Sequence, residues 1–179
     1  MDTPDSLGAL SDGHDCGLAK PVPLEKLHAM TRFRTFMHIA LAQARAAGLR
    51  GEVPVGAVIV SASGEVVAEA GNRTREWNDP TAHAEMLAIR AACAALGQER
   101  LTGHDLYVTL EPCPMCAMAI SHARIARLYF GAADPKTGGV GQGPRIFDHP
   151  QCHHVPEVYD GIDADAAQAL LQDFFARLR

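Results

Sequence analysis

Residues 105–132 read DLYVTLEPCPMCAMAISHARIARLYFGA. DLYVTL (105–110) and RLYFGA (127–132) are short apolar runs of the buried-strand type, and PCPMCAMAISHARI between them suits a short helix. Strand, helix and strand in that order imply a parallel pair joined by a right-handed crossover. Upstream, VGAVIV (55–60) and EVVAEA (65–70), joined by the turn residues SASG, read as a hairpin. AEMLAIRAACAAL belongs to a helix from about residue 83 to 96, stopped by Gly97. Phe33, Phe36, Met37, Ala40, Leu41, Ala44 and Ala47 recur at three- and four-residue steps, which predicts an amphipathic helix from near Thr31 to near Gly48. Residues 134–156 are dense in Gly, Pro and His and read as a long loop, and the period of DADAAQALLQDFFARL predicts a C-terminal helix. The expected fold is a three-layer α/β/α domain around a mixed sheet of about five strands.

With 179 residues, 47% of them hydrophobic, the chain can bury a core as one domain without disulfide staples. Five cysteines at uneven spacing argue against a disulfide framework and suit a reducing compartment, so the expected location is cytoplasmic, with no membrane partner. The first twenty-odd residues mix Gly, Pro, Asp and Ser without a period, so residues 1–29 are expected to be a disordered extension and residues 30–179 the folded domain. That extension holds Asp2, Asp5, Asp12, Asp15 and Glu25 against Lys20 and Lys26, more than half of the net charge of −5. The remainder is close to balanced, so bulk charge neither indicates nor excludes a nucleic-acid partner, and any such site must be a local patch.

PTAHAEML (80–87) places His83 and Glu85 at the mouth of an apolar helix, and EPCPMC places Cys113 and Cys116 three residues apart at the start of another. Polar residues crowd many helix starts, and a Cys-x-x-Cys alone is ambiguous between a metal site and a redox pair. A redox pair, however, has no use for an upstream His-x-Glu. Helix N-termini favour thiolates, and neutral His83 completes three metal ligands, the count of a catalytic zinc site that keeps one position for water. Residues at i and i+2 point about 200° apart on a helix, so His83 and Glu85 converge only beyond its end. Cys93 lies about 15 Å further along the axis and reads as core. Cys152, His153 and His154 sit in the long loop and read as packing or substrate-facing residues, and Cys16 falls in the extension.

EVPVGAV, GNR, NDPTAHAE, LYVTLEPC, MCA, ARI and FGAADPKTG together resemble the cytidine deaminase superfamily, and most of all its tRNA-acting adenosine deaminases. The resemblance spans most of residues 31–179. It implies one Zn2+ per subunit on His83, Cys113 and Cys116, with Glu85 moving protons as water displaces the amine of an adenine. It also implies that Asn72 hydrogen-bonds the base, that Pro54, Val55 and Gly56 wall its pocket, that Asp134 contacts a ribose hydroxyl, and that Lys136 meets phosphate. The implied substrate is the wobble adenosine in the anticodon stem-loop of an arginine tRNA with anticodon ACG, and the implied assembly is a homodimer. Ala133, standing where some members have arginine, and GGVGQGPRIFDHP depart from the family pattern. The motifs are also similar to those of free-base deaminases acting on guanine or cytosine. A noncatalytic zinc-stabilised RNA-binding module is the alternative from another class, and it requires a fourth ligand.

Overall fold

Asp105–Leu110 (β3) and Arg127–Ala132 (β4) pair in parallel, with Leu106 beside Leu128 and Val108 beside Phe130. The computed structural model describes residues 35–178, so the expected extension over 1–29, the boundary at 30 and the expected helix start near Thr31 lie outside the described residues. The hairpin forms from Gly56–Val60 (β1) and Val66–Gly71 (β2), and β1 pairs antiparallel with both β2 and β3. A fifth strand, Glu157–Tyr159 (β5), runs parallel to β4. The sheet order β2-β1-β3-β4-β5 is therefore mixed, as expected.

Alternation along the strands feeds two helical layers. Leu106, Val108, Ala57 and Ile59 face the helices Ala84–Leu96 (α3, numbered after the single turn Thr74–Trp77, α2) and Pro114–His122 (α4), where Ala84, Ala88 and Ile120 meet them. Tyr107, Tyr129, Val58 and Val60 face the other way, toward Phe36 beside Met37–Leu49 (α1). Met37, Ala40 and Leu41 of α1 then pack with Ala167 of Ala164–Ala176 (α5). Ile59, Leu106 and Leu128 are fully enclosed, each removing apolar surface worth about 1.5–3 kcal/mol.

Gly56 marks the closest approach between layers. A Cβ there would stand 2.1 Å from the Ala40 carbonyl oxygen and 2.5 Å from the Ala44 nitrogen. Only a residue without a side chain lets α1 lie directly on β1.

The structure differs from the sequence reading at three places. β5 has three residues, all exposed, so no apolar run or alternation marks it; backbone pairing to β4 defines it instead. α2 was not expected either. It is organised by the buried carboxylate of Glu52, which accepts the Arg75 and Glu76 amides at 2.9 and 2.8 Å and the Thr74 hydroxyl at 3.0 Å. The expected loop over 134–156 contains a single 3-10 turn, Ile146–Asp148. Among the described residues, no helix is long and apolar enough to cross a membrane.

Candidate active site

Two helix N-termini meet at the site. His83 is the N-cap of α3 and Cys113 the N-cap of α4, both in extended backbone conformation, and Pro114 fits the first position of α4, where no amide donor is needed. Neither residue makes a side-chain cap hydrogen bond, and both side chains face a common point. His83 Nδ1 lies 3.5 Å from Cys116 Sγ and 3.7 Å from Cys113 Sγ, and the three atoms lie within 4.8 Å of one another. Ordinary zinc bond lengths at a tetrahedral angle put nitrogen and sulfur about 3.6 Å apart. The donor set and its spacing thus fit zinc, and this is the cluster of its kind found among the described residues. A metal bound through Nδ1 would leave the proton of the neutral imidazole on Nε2.

The electrostatics favour the same use. The Cys113 thiol is held down at about 4 by the hydrogen bond it shares with Cys116, and further by His83, against its burial. Cys116 is pushed up by that shared bond, by burial and by the Glu85 carboxylate. The pair therefore releases its first proton readily and its second reluctantly, and a divalent cation stabilises both thiolates. The hydrogen bond to Cys113 raises His83, with burial opposing. Glu85, in the first turn of α3, is 3% exposed, and burial pushes its carboxyl up to about 6, within reach of both protonation states near neutrality.

Above these groups lies a cavity of about 450 Å³, the size of a small-molecule pocket. His83, Glu85 and Cys113 contribute to its lining, with Asn72 and Thr74 from the end of the hairpin and the turn after it. Asn72 Oδ1 accepts the Ala84 amide at 2.8 Å, satisfying a free donor of α3's first turn. That bond settles the orientation of the amide, because an N–H must meet its oxygen. The NH2 group is then a donor for the cavity.

Of the expected wall, Val55 lines the cavity together with Val53, whereas Pro54 borders a separate groove with Leu170 and Phe174, and Gly56 lies beneath α1. Alternation puts Val55 and Gly56 on opposite sides, and a tight turn at Pro54, in which the Val55 amide donates to the Val53 carbonyl at 2.8 Å, precedes them. Asp134 and Lys136 both line the cavity. The Asp134 carboxylate accepts the Lys136 amide at 3.0 Å and the Thr137 amide at 3.1 Å, as well as the Thr137 hydroxyl. Burial raises its pKa, but these bonds outweigh burial and hold it below the usual value.

Several lining residues were not anticipated from the sequence. Leu171 and Phe175 reach the cavity from α5, and Glu111 from the end of β3. A charged residue directly after a buried strand and two positions before Cys113 was the available signal for Glu111; nothing in the period of α5 distinguished Phe175 from a core position. Cys93 sits apart, its thiol 3.7 Å from the Glu99 carbonyl oxygen. Cys152 donates toward Ser121 Oγ and the His154 carbonyl oxygen, His154 Nε2 bonds the Ile125 carbonyl at 2.6 Å, and the His153 carbonyl accepts from Arg124. These three pack the loop.

Residues 30–132 match the cytidine and deoxycytidylate deaminase zinc-binding region. The chain is 60% identical, over 80% of its length and 94% of the relative's, to a tRNA-specific adenosine deaminase of Agrobacterium fabrum. A solved structure from studies of A-to-I editing by tRNA deaminases at the wobble position is 62% identical, covers 76% of this chain and 98% of its own, and superposes with a TM-score of 0.75. A guanine deaminase from Bacillus subtilis is 34% identical over 82% of this chain and 94% of its own, with a TM-score of 0.56.

Proposed function

The chain belongs to the cytidine and deoxycytidylate deaminase zinc-binding family, and on that premise we propose that it hydrolyses adenosine to inosine at the wobble position of tRNA, releasing ammonia. The observation that carries the reading is the placement of Glu85, which is no part of the three-atom cluster, beside that cluster on the floor of the cavity. A noncatalytic zinc module would have a fourth protein ligand and no need of a buried carboxylate there.

In this reading His83, Cys113 and Cys116 hold one zinc per subunit. Zinc in such a site lowers the pKa of a water to about 7, supplying a nucleophile at neutral pH. Glu85 takes a proton from the attacking water at its carboxylate oxygen and delivers it to the ring nitrogen beside carbon 6; it then takes the proton of the hydroxyl newly bonded to carbon 6 and passes it to the amine, which leaves as ammonia while the carbonyl forms. The Asn72 NH2 group donates to the base, and Val53 and Val55 give it an apolar wall. Burial and the fixed Ala84 bond hold Asn72 in place before substrate arrives, so little ordering remains to be done on binding.

Asp134 and Lys136 favour RNA over a free base. Three acceptor positions of the Asp134 carboxylate are used within its own loop, leaving one for a ribose hydroxyl, and exposed Lys136 can meet phosphate. A base in a tRNA loop is already nearly unstacked, so drawing it into the cavity costs less than extracting it from a duplex. We place the enzyme in the cytoplasm, where tRNA is available and thiol ligands stay reduced. We take it to be a homodimer acting on an arginine tRNA with anticodon ACG, and residues 30–179 to be sufficient for catalysis, as the family resemblance implies.

The test offers purified protein an anticodon stem-loop and, separately, guanine, cytosine and adenine. Inosine at the wobble position, found by nuclease digestion and chromatography, is the expected result. Rapid guanine or cytosine turnover without inosine would assign the site to a free base.

A further inference from the structure

Glu111 is 3% exposed and carries four backbone hydrogen bonds on two oxygens. Oε1 accepts the amides of Val140, Gly141 and Gln142 at 3.1, 2.9 and 2.9 Å, and Oε2 accepts the Asp134 amide at 3.0 Å. A carboxylate is the only side chain of this size that offers acceptors alone, and amide donors to it make charge-assisted bonds. Both ends of the 134–142 loop are thus drawn onto one group.

The loop is closely fitted around that group. A Cβ on Gly138 would stand 2.6 Å from Glu111 Oε1 and 2.5 Å from the Asp134 carbonyl oxygen, and one on Gly139 would stand 2.6 Å from the Pro114 nitrogen. The Gly139 amide also donates to the Pro112 carbonyl at 2.9 Å. The same short segment, Glu111 to Pro114, therefore supports the loop on one side and presents Cys113 on the other.

We infer that Glu111 is a positioning residue for RNA: it holds the 134–142 loop so that Asp134 and Lys136 meet the sugar and phosphate at a set distance from Cys113. The inference rests on the reading of those two residues as RNA contacts. Glu111 itself touches no reacting atom. Its contribution is to make the contact surface rigid before RNA arrives, so its loss affects substrate affinity more than the chemical step.

Glu111→Gln is the test, because it keeps the shape but replaces one acceptor oxygen with an NH2 that opposes an amide donor. The expected results are unchanged zinc content, lost hydrogen-exchange protection at Asp134, Val140, Gly141 and Gln142, and a KM for the stem-loop raised about 10- to 100-fold with kcat changed much less. Gly138→Ala, which leaves Glu111 intact but forces a methyl against it, should reproduce the pattern. In a double-mutant cycle, Glu111→Gln should add little to Asp134→Ala, since both remove one contact. Unchanged exchange protection, equal losses in kcat and KM terms, or multiplicative effects in the cycle would overturn the inference. If Asp134→Ala raises KM and Glu111→Gln does not, this inference alone falls. If Asp134→Ala leaves KM unchanged, the RNA-contact reading falls and takes the inference with it.

Discussion

Asn72 has two hydrogen-bonding ends with separable duties, and two substitutions tell them apart. Its oxygen accepts the Ala84 amide at the start of α3, and its NH2 group faces the cavity. Asn72→Ala removes both. The Ala84 amide is then left without its partner at a position where the side chain above it is only 7% exposed, a loss of about 1–3 kcal/mol. For a domain of this size that lowers Tm by about 2–12 °C. Asn72→Asp keeps an acceptor for the helix, and a carboxylate at a helix N-terminus is itself favourable. It should therefore hold Tm close to wild type while replacing the cavity donor with an acceptor. Loss of one hydrogen bond in the transition state, worth about 1.5–3 kcal/mol where charge is involved, lowers kcat/KM on the stem-loop about 10- to 100-fold. The assays are thermal unfolding by circular dichroism, zinc content by atomic absorption, and inosine formation. An Asp variant with full zinc and wild-type turnover would refute the assignment of the amide donor to the base. An Ala variant with unchanged Tm would refute the structural role of its oxygen.

Glu85→Ala should retain zinc yet lose deamination by about 10²- to 10⁴-fold, the usual contribution of a proton-transfer group; loss of zinc alongside activity would contradict that separation of roles. Cys113→Ala should release metal and lower Tm, because two helix starts are tied through it, and full metal occupancy in that variant would remove Cys113 from the ligand set. Gly56→Ala should destabilise by about 3 kcal/mol or more, since the new methyl meets backbone and not a flexible side chain; denaturant titration reads this directly, and a neutral result would mean that α1 can shift off β1 at little cost. Deleting residues 1–29 should leave turnover on the stem-loop nearly unchanged, and a large fall would give that acidic segment a part in catalysis or RNA binding.

Local chemistry was enough to foresee much of the molecule. The apolar runs at 105–110 and 127–132 read as buried strands, and with a helix between them the right-handed crossover follows from strand twist. His83 and Cys113 could be recognised at helix starts because Pro114, Glu85 and the apolar periods behind them mark where each helix begins. Which residues of 53–56 face the cavity was decided by the tight turn at Pro54 and the start of β1 after it, and what lies behind Gly56 by the passage of α1 over the hairpin. β5 depends on the neighbouring strand's free edge, since its own three residues bury nothing. Glu111 shows the same limit at the site. Its four donors come from positions 23 to 31 residues later in the chain, and no period or local propensity encodes a bond of that separation. Sequence patterns report what each segment does alone or with near neighbours, whereas the partners of a buried charge are chosen only when distant segments pack and must leave no polar group unsatisfied.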